Sequence, residues 1–359
     1  MKATVNKVII DKNKRIIAIS DIHGNLNLFK RLLAEINYTP NDILFLVGDL
    51  IEKGDNSLET LRYIMKLSRE NMVYVVTGNC DTIWEDVNCN IYDENLLKYM
   101  LFRKNSILND MCKELSIQVN EKSNINYIKQ QLRENFSEEL TYLEQLPHII
   151  ETEDYIFVHG GITSEDLEEN LANEVTKRDA FMEEGLVFSK YVIVGHWPTA
   201  NYGKDKGCCN PIINKEQKII SIDGGNAIKC EGQLNALIVD GEKIDFYAVD
   251  DFCRGEIIKD QKSNSNTIQI SWQDNDIKVL EVGKGFSYCR HLSSNHQLWI
   301  KNDKIFQSKK GTTKCYDCTD YFIDAQKGDI VSILERTQEI TLVKNHGIIG
   351  WVRNENLIY

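Results

Sequence analysis

The stretch "RIIAISDIHGN", residues 15–25, joins an apolar run to a cluster of polar residues. The run over residues 15–19 predicts a buried strand, and Asp21, His23 and Gly24 follow it directly. Residues two apart on a strand face the same way, and glycine permits a tight turn beside them. A carboxylate next to an imidazole suits a metal ion. Asp21 alone is equally typical of a helix N-cap region, so the rest of the chain has to distinguish the two interpretations.

Length and charge limit the classes of function. The chain has 359 residues, which predicts two domains. Its net charge of -12 argues against binding a nucleic-acid duplex through phosphates and against an anionic membrane surface. No run approaches the roughly 20 apolar residues of a membrane span, and no signal peptide is recognisable. We therefore expect a cytoplasmic protein whose ten cysteines are reduced.

The first part of the chain alternates strand-like and helix-like segments. Strands are predicted over 15–19, 43–47 and 72–76, with helices over 27–36 and 57–70 between them. This alternation predicts an α/β fold with a largely parallel sheet covered on both faces. Residues 84–145 predict a helical insertion. Strand-like runs then resume, some of them antiparallel, over 155–161, 191–196, 218–225 and 234–240.

The last third of the chain differs from the first part in composition and in its pattern of predicted elements. Residues 251–275 include a polar stretch, 259–267, and predict a linker or long loop. Short β-like pieces follow over 276–359 and predict a small all-β domain. The predicted organisation is therefore a first domain over 1–250, a linker over 251–275 and a β domain over 276–359.

Further polar residues follow the other predicted strands. These are Asp49 in "VGDLIEKG", Asn79 in "TGNCD", His159 in "VHGG" and His196 in "VGHWPT". Taken singly, Asp49 and Asn79 fit ordinary turns, and a lone histidine at a strand end is usually structural. As a set they are more informative, because ligands bind outside the carboxyl ends of strands in open α/β sheets.

The residue types in this set indicate metal chemistry. Three imidazoles, two carboxylates and one amide form a nitrogen and oxygen set that suits Mn, Fe, Zn or similar divalent ions. Six ligands exceed the needs of one open catalytic ion but fit two ions that share a carboxylate. Ions about 3.5–4 Å apart can generate a hydroxide and hold a phosphoryl group during in-line attack.

The segments "DIHGN", "GDLIEKG", "GNCD", "HGG" and "GH", in that order, resemble the signature of calcineurin-like metallophosphoesterases. The resemblance covers residues 14–250 and is strongest to the phosphoprotein phosphatase group, which includes bacterial serine/threonine phosphatases and diadenosine tetraphosphatases. It implies a β-sandwich flanked by helices. It further implies that one metal is held by Asp21, His23 and His196, that Asp49 bridges, and that Asn79 and His159 complete the second site.

The sequence departs from the family pattern at two catalytic positions. Glu52 and Lys53 replace an Asp-Arg pair, so Lys53 keeps a positive charge for substrate phosphate but loses the two-pronged geometry of arginine. Cys80 replaces the histidine that protonates the leaving oxygen, and Asp81 corresponds to its acidic neighbour. Either the substrate has a good leaving group or another residue supplies the proton. Arg178 lies in the interval where the family has a phosphate-binding arginine, but the local match is poor and a solvated helix residue is the better interpretation.

These observations predict a two-metal phosphoesterase whose substrate is a phosphoprotein or a nucleotide polyphosphate. The alternative is a degenerate phosphatase fold that binds a phosphorylated partner without turnover. The C-terminal region resembles bacterial SH3-like modules through its final "GWV" pattern, which implies a structural or peptide-docking role. The only Cys-x-x-Cys, Cys315 to Cys318, would need two further ligands to bind zinc.

Overall fold

The computed structural model describes residues 1–89 and 94–359. The chain divides into two compact units. The first unit comprises Met1–Thr199 and Pro211–Asp250, and the second comprises Ala200–Asn210 and Asp251–Tyr359.

Two sheets form the framework of the first unit. Its strands are Val5–Lys7 (β1), Ile16–Ile19 (β2), Ile43–Val47 (β3), Val73–Val76 (β4), Ile149–Glu151 (β5), Tyr155–Val158 (β6), Tyr191–Val194 (β7), Ile212–Asn214 (β8), Ile219–Ser221 (β9), Leu234–Asp240 (β10) and Lys243–Val249 (β11). One sheet has the order β11-β10-β2-β3-β4, with β2, β3 and β4 parallel. The other has the order β1-β5-β6-β7-β9-β8, with β6, β7 and β9 parallel.

The two sheets pack face to face around an apolar core. Phe45 of β3 stacks on Phe157 of β6 with ring centroids 3.7 Å apart, and Val76 and Ile193 are buried in the same cluster. The β-sandwich is confirmed. The sheet of β2, β3 and β4 is covered on both faces, as the alternation predicts, but one cover is the helices and the other is the second sheet. A strand reads as the same apolar run whether a helix or a second sheet covers it, so the pattern alone does not separate the two cases.

Helices cover the outer faces. They are Leu26–Glu35 (α1), Ser57–Glu70 (α2), Ile83–Asn88 (α3), Glu94–Phe102 (α4), Ile107–Glu114 (α5), Ile125–Asn135 (α6), Ser137–Glu144 (α7) and Ala172–Val175 (α8). Asn25 starts α1 because its side chain accepts a hydrogen bond from Leu28 N at 3.3 Å. The apolar faces of α1 and α2 pack with β2 and β3 in one core. The predicted insertion, 84–145, contains α3–α7 from residue 84 onward, and its residues 90–93 lie outside the described residues.

The second unit is built from antiparallel strands. They are Arg254–Ile257 (β12), Gln269–Ile270 (β13), Ile277–Val282 (β14), Phe286–His291 (β15), Gln297–Lys301 (β16), Ile305–Gln307 (β17), Thr313–Cys315 (β18), Cys318–Thr319 (β19), Ile330–Arg336 (β20), Ile340–Asn345 (β21), Ile348–Arg353 (β22) and Leu357–Ile358 (β23). One sheet has the order β22-β21-β20-β12-β23 and another β14-β15-β16. An all-β C-terminal region is confirmed, whereas its likeness to SH3 modules stays a prediction.

Residues 251–275 differ from the expected linker. They contain β12 and β13, and β12 pairs with β20 and β23. The side chain of Gln261 is buried and donates to the carbonyl oxygens of Ile323 and Trp351. Composition suggests a free loop because these buried polar contacts are long-range and leave no local apolar signal.

Among the described residues, no helix is both long enough and apolar enough to cross a membrane.

The division into units predicts how a shortened chain will behave. The core clusters of the first unit contain only residues up to Val249, so a chain of residues 1–250 should fold. Its segment 200–210 will lose the side chains that cover Cys209, namely Leu342, Ile349 and Trp351. Cys209, fully buried in the whole chain, should then react with a thiol reagent at least about tenfold faster, since local exposure controls thiol access.

Cys112 is the matched control, because it is 1% exposed within the first unit. Peptide mapping after labelling measures both thiols. If Cys112 is labelled in the shortened chain, or if the shortened chain aggregates, the first unit depends on the second for its core.

Candidate metal centre

Each predicted ligand lies just beyond the carboxyl end of a strand. Asp21 and His23 follow β2, and the others follow β3, β4, β6 and β7 in the order Asp49, Asn79, His159 and His196. Because the strands concerned run parallel within each sheet, their ends meet at one edge of the sandwich.

The turns after β2 and β3 hold their residues in left-handed backbone conformations. The φ angles are 55° at Asp21, 48° at His23 and 51° at Asp49. Asp21 N donates to Gly48 O, and His23 N donates to Asp49 O, each at 3.0 Å. A left-handed conformation costs about 1–2 kcal/mol for a residue other than glycine. Strain of this kind, retained in three neighbouring polar residues, points to a functional site.

A buried cluster of carboxylates and imidazoles lies at this edge. Asp49 Oδ1 is 3.3 Å from His159 Nε2, while Asp49 Oδ2 is 3.7 Å from His23 Nε2. Asp21 Oδ1 is 3.6 Å from His23 Nε2. Two groups of residues could each hold a metal ion, because the ligand atoms within each group all lie within 4.8 Å of one another. One group is Asp21, Asp49 and His159, and the other is His23, Asp49 and Cys80. Asp49 therefore belongs to both groups.

Unpartnered polar atoms test whether the cluster fits a metal ion. Asp21 Oδ1, Asn79 Oδ1 and His159 Nε2 are buried and have no hydrogen-bond partner among the described residues. Buried polar atoms without a partner are rare because each costs free energy. All three are ligand atoms in the predicted set, so the residues present fit a bound cation.

His196 lies at the margin of the cluster. Its ring centroid is 5.2 Å from that of His159, and its Nε2 is 3.2 Å from Asp179 Oδ1. Its backbone N–H donates to Asp21 Oδ2 at 3.1 Å. The family resemblance assigned His196 to the same ion as Asp21 and His23. Its ring lies instead beside His159, the residue assigned to the other ion.

Charge in the cluster is concentrated on Asp49 and His159. Burial opposes ionisation of Asp49, but the neighbouring His159, His23 and Lys53 hold its pKa well below the usual range. Burial likewise opposes protonation of His159, but Asp49 and Asp21 raise its pKa to about 10. A metal ion would replace the Nε2 proton as the partner of these carboxylates, because a ligand imidazole must be neutral.

Lys53 places a positive charge against the cluster. Its Nζ lies 3.2 Å from His23 Nε2 and 3.9 Å from Asp49 Oδ2. Burial and the Lys53 charge lower the pKa of His23 to about 3, so this imidazole is neutral. Lys53 stays charged: burial opposes this, but Cys80, Asp49 and Asp21 raise its pKa.

Cys80 directs its thiol at the cluster. Its backbone N–H donates to Asp49 Oδ1 at 2.8 Å, and the Asn79 amide lies 3.5 Å from its sulfur. Burial and the charge of Asp49 raise the pKa of the thiol well above its ordinary value. The side chain is therefore a neutral thiol at physiological pH.

Asp81 holds the surrounding loops together. Its Oδ1 accepts from Leu50 N at 2.9 Å and its Oδ2 accepts from Gly78 N at 2.8 Å. Burial and the charge of Asp49 raise its pKa to about 7. Both oxygens of this carboxyl group therefore already have backbone partners, and its catalytic role stays a prediction.

Neither Arg178 as a phosphate ligand nor Cys315 and Cys318 as zinc ligands receive support. The guanidinium of Arg178 forms a two-pronged ion pair with Glu184, with N–O distances of 2.7 and 2.6 Å, and no contact with the cluster is seen among the described residues. The sulfur atoms of Cys315 and Cys318 lie 3.9 Å apart. Within residues 1–89 and 94–359, no further histidine, cysteine or carboxylate joins them in a metal-binding group.

Sequence analysis missed a buried acid beside the cluster, Asp223 in "SIDGG". Its Oδ1 accepts from Gly225 N at 2.7 Å, and its Oδ2 is buried with no hydrogen-bond partner among the described residues. Burial and the charge of Asp21 raise its pKa well above the ordinary value. It lies two residues past the end of β9, so the strand-end rule that identified Asp49 would have found it.

Gly78 provides a test of the packing around Asp49. A Cβ at Gly78 would collide with the backbone nitrogen and Oδ1 of Asp49. We expect Gly78→Ala to displace Asp49, lower bound Mn²⁺ and cost about 1–3 kcal/mol of stability. Metal content after gel filtration and a thermal unfolding curve measure the two effects.

Gly285→Ala is the control, since a Cβ there meets nothing within 4 Å and should change neither quantity. Full metal content in Gly78→Ala would show that the cluster tolerates the displacement or does not hold the metal.

Comparisons with known proteins agree with this geometry. A sequence model of the calcineurin-like phosphoesterase family matches residues 14–223, more than half of the chain. Symmetrical bis(5'-nucleosyl)-tetraphosphatases from Colwellia psychrerythraea and Wigglesworthia glossinidia brevipalpis are 43% identical over 67 residues and 47% identical over 62 residues. These matches cover 18% and 17% of this chain, and 23% and 22% of the relatives' own lengths.

Solved structures similar to this chain include a protein serine/threonine phosphatase from Saccharomyces cerevisiae, with 14% identity and a TM-score of 0.42, covering 69% of this chain and 84% of the other. A metallophosphoesterase from Sphaerobacter thermophilus has 17% identity and a TM-score of 0.35, covering 66% and 88%. The family match over residues 14–223 contains every residue of the cluster. The chain therefore belongs to the calcineurin-like phosphoesterase family.

Proposed function

We propose that the chain hydrolyses phosphorylated substrates with two divalent metal ions as cofactors. The observation that carries this proposal is the set of unpartnered ligand atoms of Asp21, Asn79 and His159 around the shared carboxylate of Asp49. Membership of a family that uses divalent metals supports it.

The family resemblance implies that Asp21 and His23 would hold one ion, that Asn79 and His159 would hold the other, and that Asp49 would serve both. The distances support the shared role of Asp49, and they place Asp21 near both His23 and His159. The ring position of His196 favours the ion of His159. The nitrogen and oxygen set is compatible with Mn, Fe or Zn.

The metal ions, when bound, would activate water and stabilise negative charge on the phosphoryl group. Side chains would bind the substrate phosphate and position the loops around the metal ions. The Lys53 ammonium would leave His23 Nε2 when that atom takes up a cation, and it would then hold a phosphoryl oxygen. Asp81 keeps the loops after β3 and β4 in place through its backbone contacts.

Cys80 bears on the identity of the substrate. A buried neutral thiol is a weak proton donor, so departure of a serine alkoxide would be slow, whereas a phosphate or aryl oxide needs little help. This favours a nucleotide polyphosphate over a serine or threonine phosphoprotein. The two tetraphosphatase relatives are compatible with that preference, although their likeness covers under a fifth of the chain.

The second candidate is a phospho-ligand-binding module without turnover, and Cys80 together with Lys53 is the observation that favours it. An aryl phosphate assay with and without Mn²⁺ separates the two candidates. Hydrolysis that depends on Mn²⁺ identifies an enzyme. A docking role for the second unit, with a peptide or another domain as partner, likewise remains a proposal.

Asp49 is the most sensitive position in this arrangement. Altering residues that merely support metal ligands typically costs about 10–100-fold, so Asp49→Asn should reduce aryl phosphate hydrolysis by more than ~100-fold and lower bound metal. Activity is measured after chelation and readdition of Mn²⁺, and metal content is measured separately.

Asp42→Asn is the matched control because Asp42 is also a buried carboxylate but pairs with Arg15, away from the cluster. It should lose stability and keep its metal. Unchanged turnover in Asp49→Asn would contradict the two-metal proposal.

Cys80→His tests the missing proton donor. If the leaving group lacks an acid, histidine should raise kcat/KM for a phosphoserine peptide about tenfold more than for an aryl phosphate, which lies within the ~10²–10⁴ range of acid catalysis. Steady-state kinetics on both substrates give the ratio.

Cys80→Ser keeps the size of the side chain and adds no proton donor comparable to histidine, so it should leave the ratio of the two kcat/KM values unchanged. Equal changes on both substrates in the histidine variant would mean that another group already supplies the proton, and Cys80 would then be a packing residue.

A further inference from the structure

A cavity of about 430 Å³ adjoins the metal centre. Lys53, Asn79 and Cys80 line it on the side of the cluster. Its other wall comes from the helical insertion and includes Tyr99 of α4 and Arg103, the residue that follows α4. The volume lies at the lower end of the range for small-molecule sites.

Hydrogen bonds fix this wall relative to the catalytic loop. The Glu52 carboxylate accepts from the Tyr99 hydroxyl and from Ile107 N, the latter at 2.8 Å. Lys53 N donates to Asn105 O at 3.1 Å. The loop that carries Lys53 is therefore hydrogen-bonded to α4, to α5 and to the segment between them, which contains Arg103.

The position of Arg103 is also fixed. The Asn109 side chain donates to the carbonyl oxygens of Met100 and Arg103, each at 2.9 Å. These bonds secure the end of α4, where helical carbonyls lack partners of their own. Arg103 is thus held at the cavity by its backbone while its side chain remains available.

Within the described ranges, 1–89 and 94–359, the guanidinium of Arg103 forms no direct ion pair, although it lies near enough to Glu52 for the two charges to attract each other. Its nearest aromatic neighbour is Tyr99, whose ring centroid is 5.9 Å from the guanidinium carbon. Two cations, Lys53 and Arg103, line this cavity together with two acids, Asp86 and Glu52, and the Glu52 carboxylate already accepts from Tyr99 and Ile107 N.

We propose that this cavity binds the leaving-group side of the substrate and that Arg103 selects a leaving group that carries its own phosphate. The inference rests on the proposed function and deepens it. A guanidinium binds phosphate oxygens through paired, charge-assisted hydrogen bonds. The substrate class is therefore a phosphoanhydride, with one phosphoryl group at the cluster and the next at Arg103.

The chemistry agrees with the thiol at Cys80. In hydrolysis of the anhydride, a water oxygen bonds to phosphorus and the bridging P–O bond breaks. Its electron pair leaves with the second phosphate as an anion, and the protons of the water pass to solvent. No proton has to reach the departing oxygen, and Arg103 is placed to stabilise the new negative charge.

Arg103→Gln tests the assignment, with inorganic tripolyphosphate, an aryl phosphate and a phosphoserine peptide as probes. Loss of a charge-assisted contact should raise KM for tripolyphosphate about tenfold or more, while KM for the aryl phosphate changes less than about twofold. Arg103→Lys should restore part of the effect. Lys98→Gln is the matched control, since Lys98 is an exposed cation of α4 that pairs with Glu94.

A binding measurement separates this inference from the proposed function. Calorimetry of tripolyphosphate without added metal, on Asp49→Asn with and without Arg103→Gln, should show weaker binding in the double variant. Binding that depends on Arg103, together with no turnover by the unaltered chain in the presence of Mn²⁺, would overturn the proposed function and keep the subsite. Equal affinities and equal KM values would overturn the subsite. An Arg103 effect confined to the phosphoserine peptide would overturn the anhydride class in favour of a phosphoprotein.

Discussion

The contact between Asp49 and His159 joins the two halves of the first unit. Asp49 follows β3 in one sheet and His159 follows β6 in the other, and their side chains meet at 3.3 Å. His159 Nδ1 also lies 2.8 Å from Val47 O, so both nitrogens of this imidazole, which follows β6, contact β3 or the residue just after it. The aromatic stack of Phe45 on Phe157 aligns the same two strands from within the core. Core packing and site geometry therefore depend on one another.

The sequence predicted the elements well and their assembly less well. The run at 43–47 matches β3, because a buried strand and its polar end are local features. The second sheet was implied only by the family resemblance, because an apolar run gives no information on whether a helix or another sheet covers the strand. Asp223 was missed although it follows β9, and Arg103 could not be found, because its cavity exists only once α4 docks on the loop of Glu52.

The contacts of Glu52 explain why this chain has glutamate where the family pattern has aspartate. The family pattern has aspartate and arginine where this chain has Glu52 and Lys53. The longer glutamate reaches both the Tyr99 hydroxyl and Ile107 N, and burial raises its pKa to about 7. The position thus holds the helical insertion against the catalytic loop. Lys53 keeps the positive charge that the family pattern has in this loop, and Arg103 lines the same cavity from the segment after α4.

The position of Lys53 also affects how the cluster takes up a metal ion. Two buried carboxylates repel each other unless positive charge lies beside them. In this chain the Lys53 ammonium and the His159 imidazole lie beside Asp49. A metal ion that binds here displaces positive charge from the same carboxylate, so its uptake depends on the proton concentration as well as on the metal concentration.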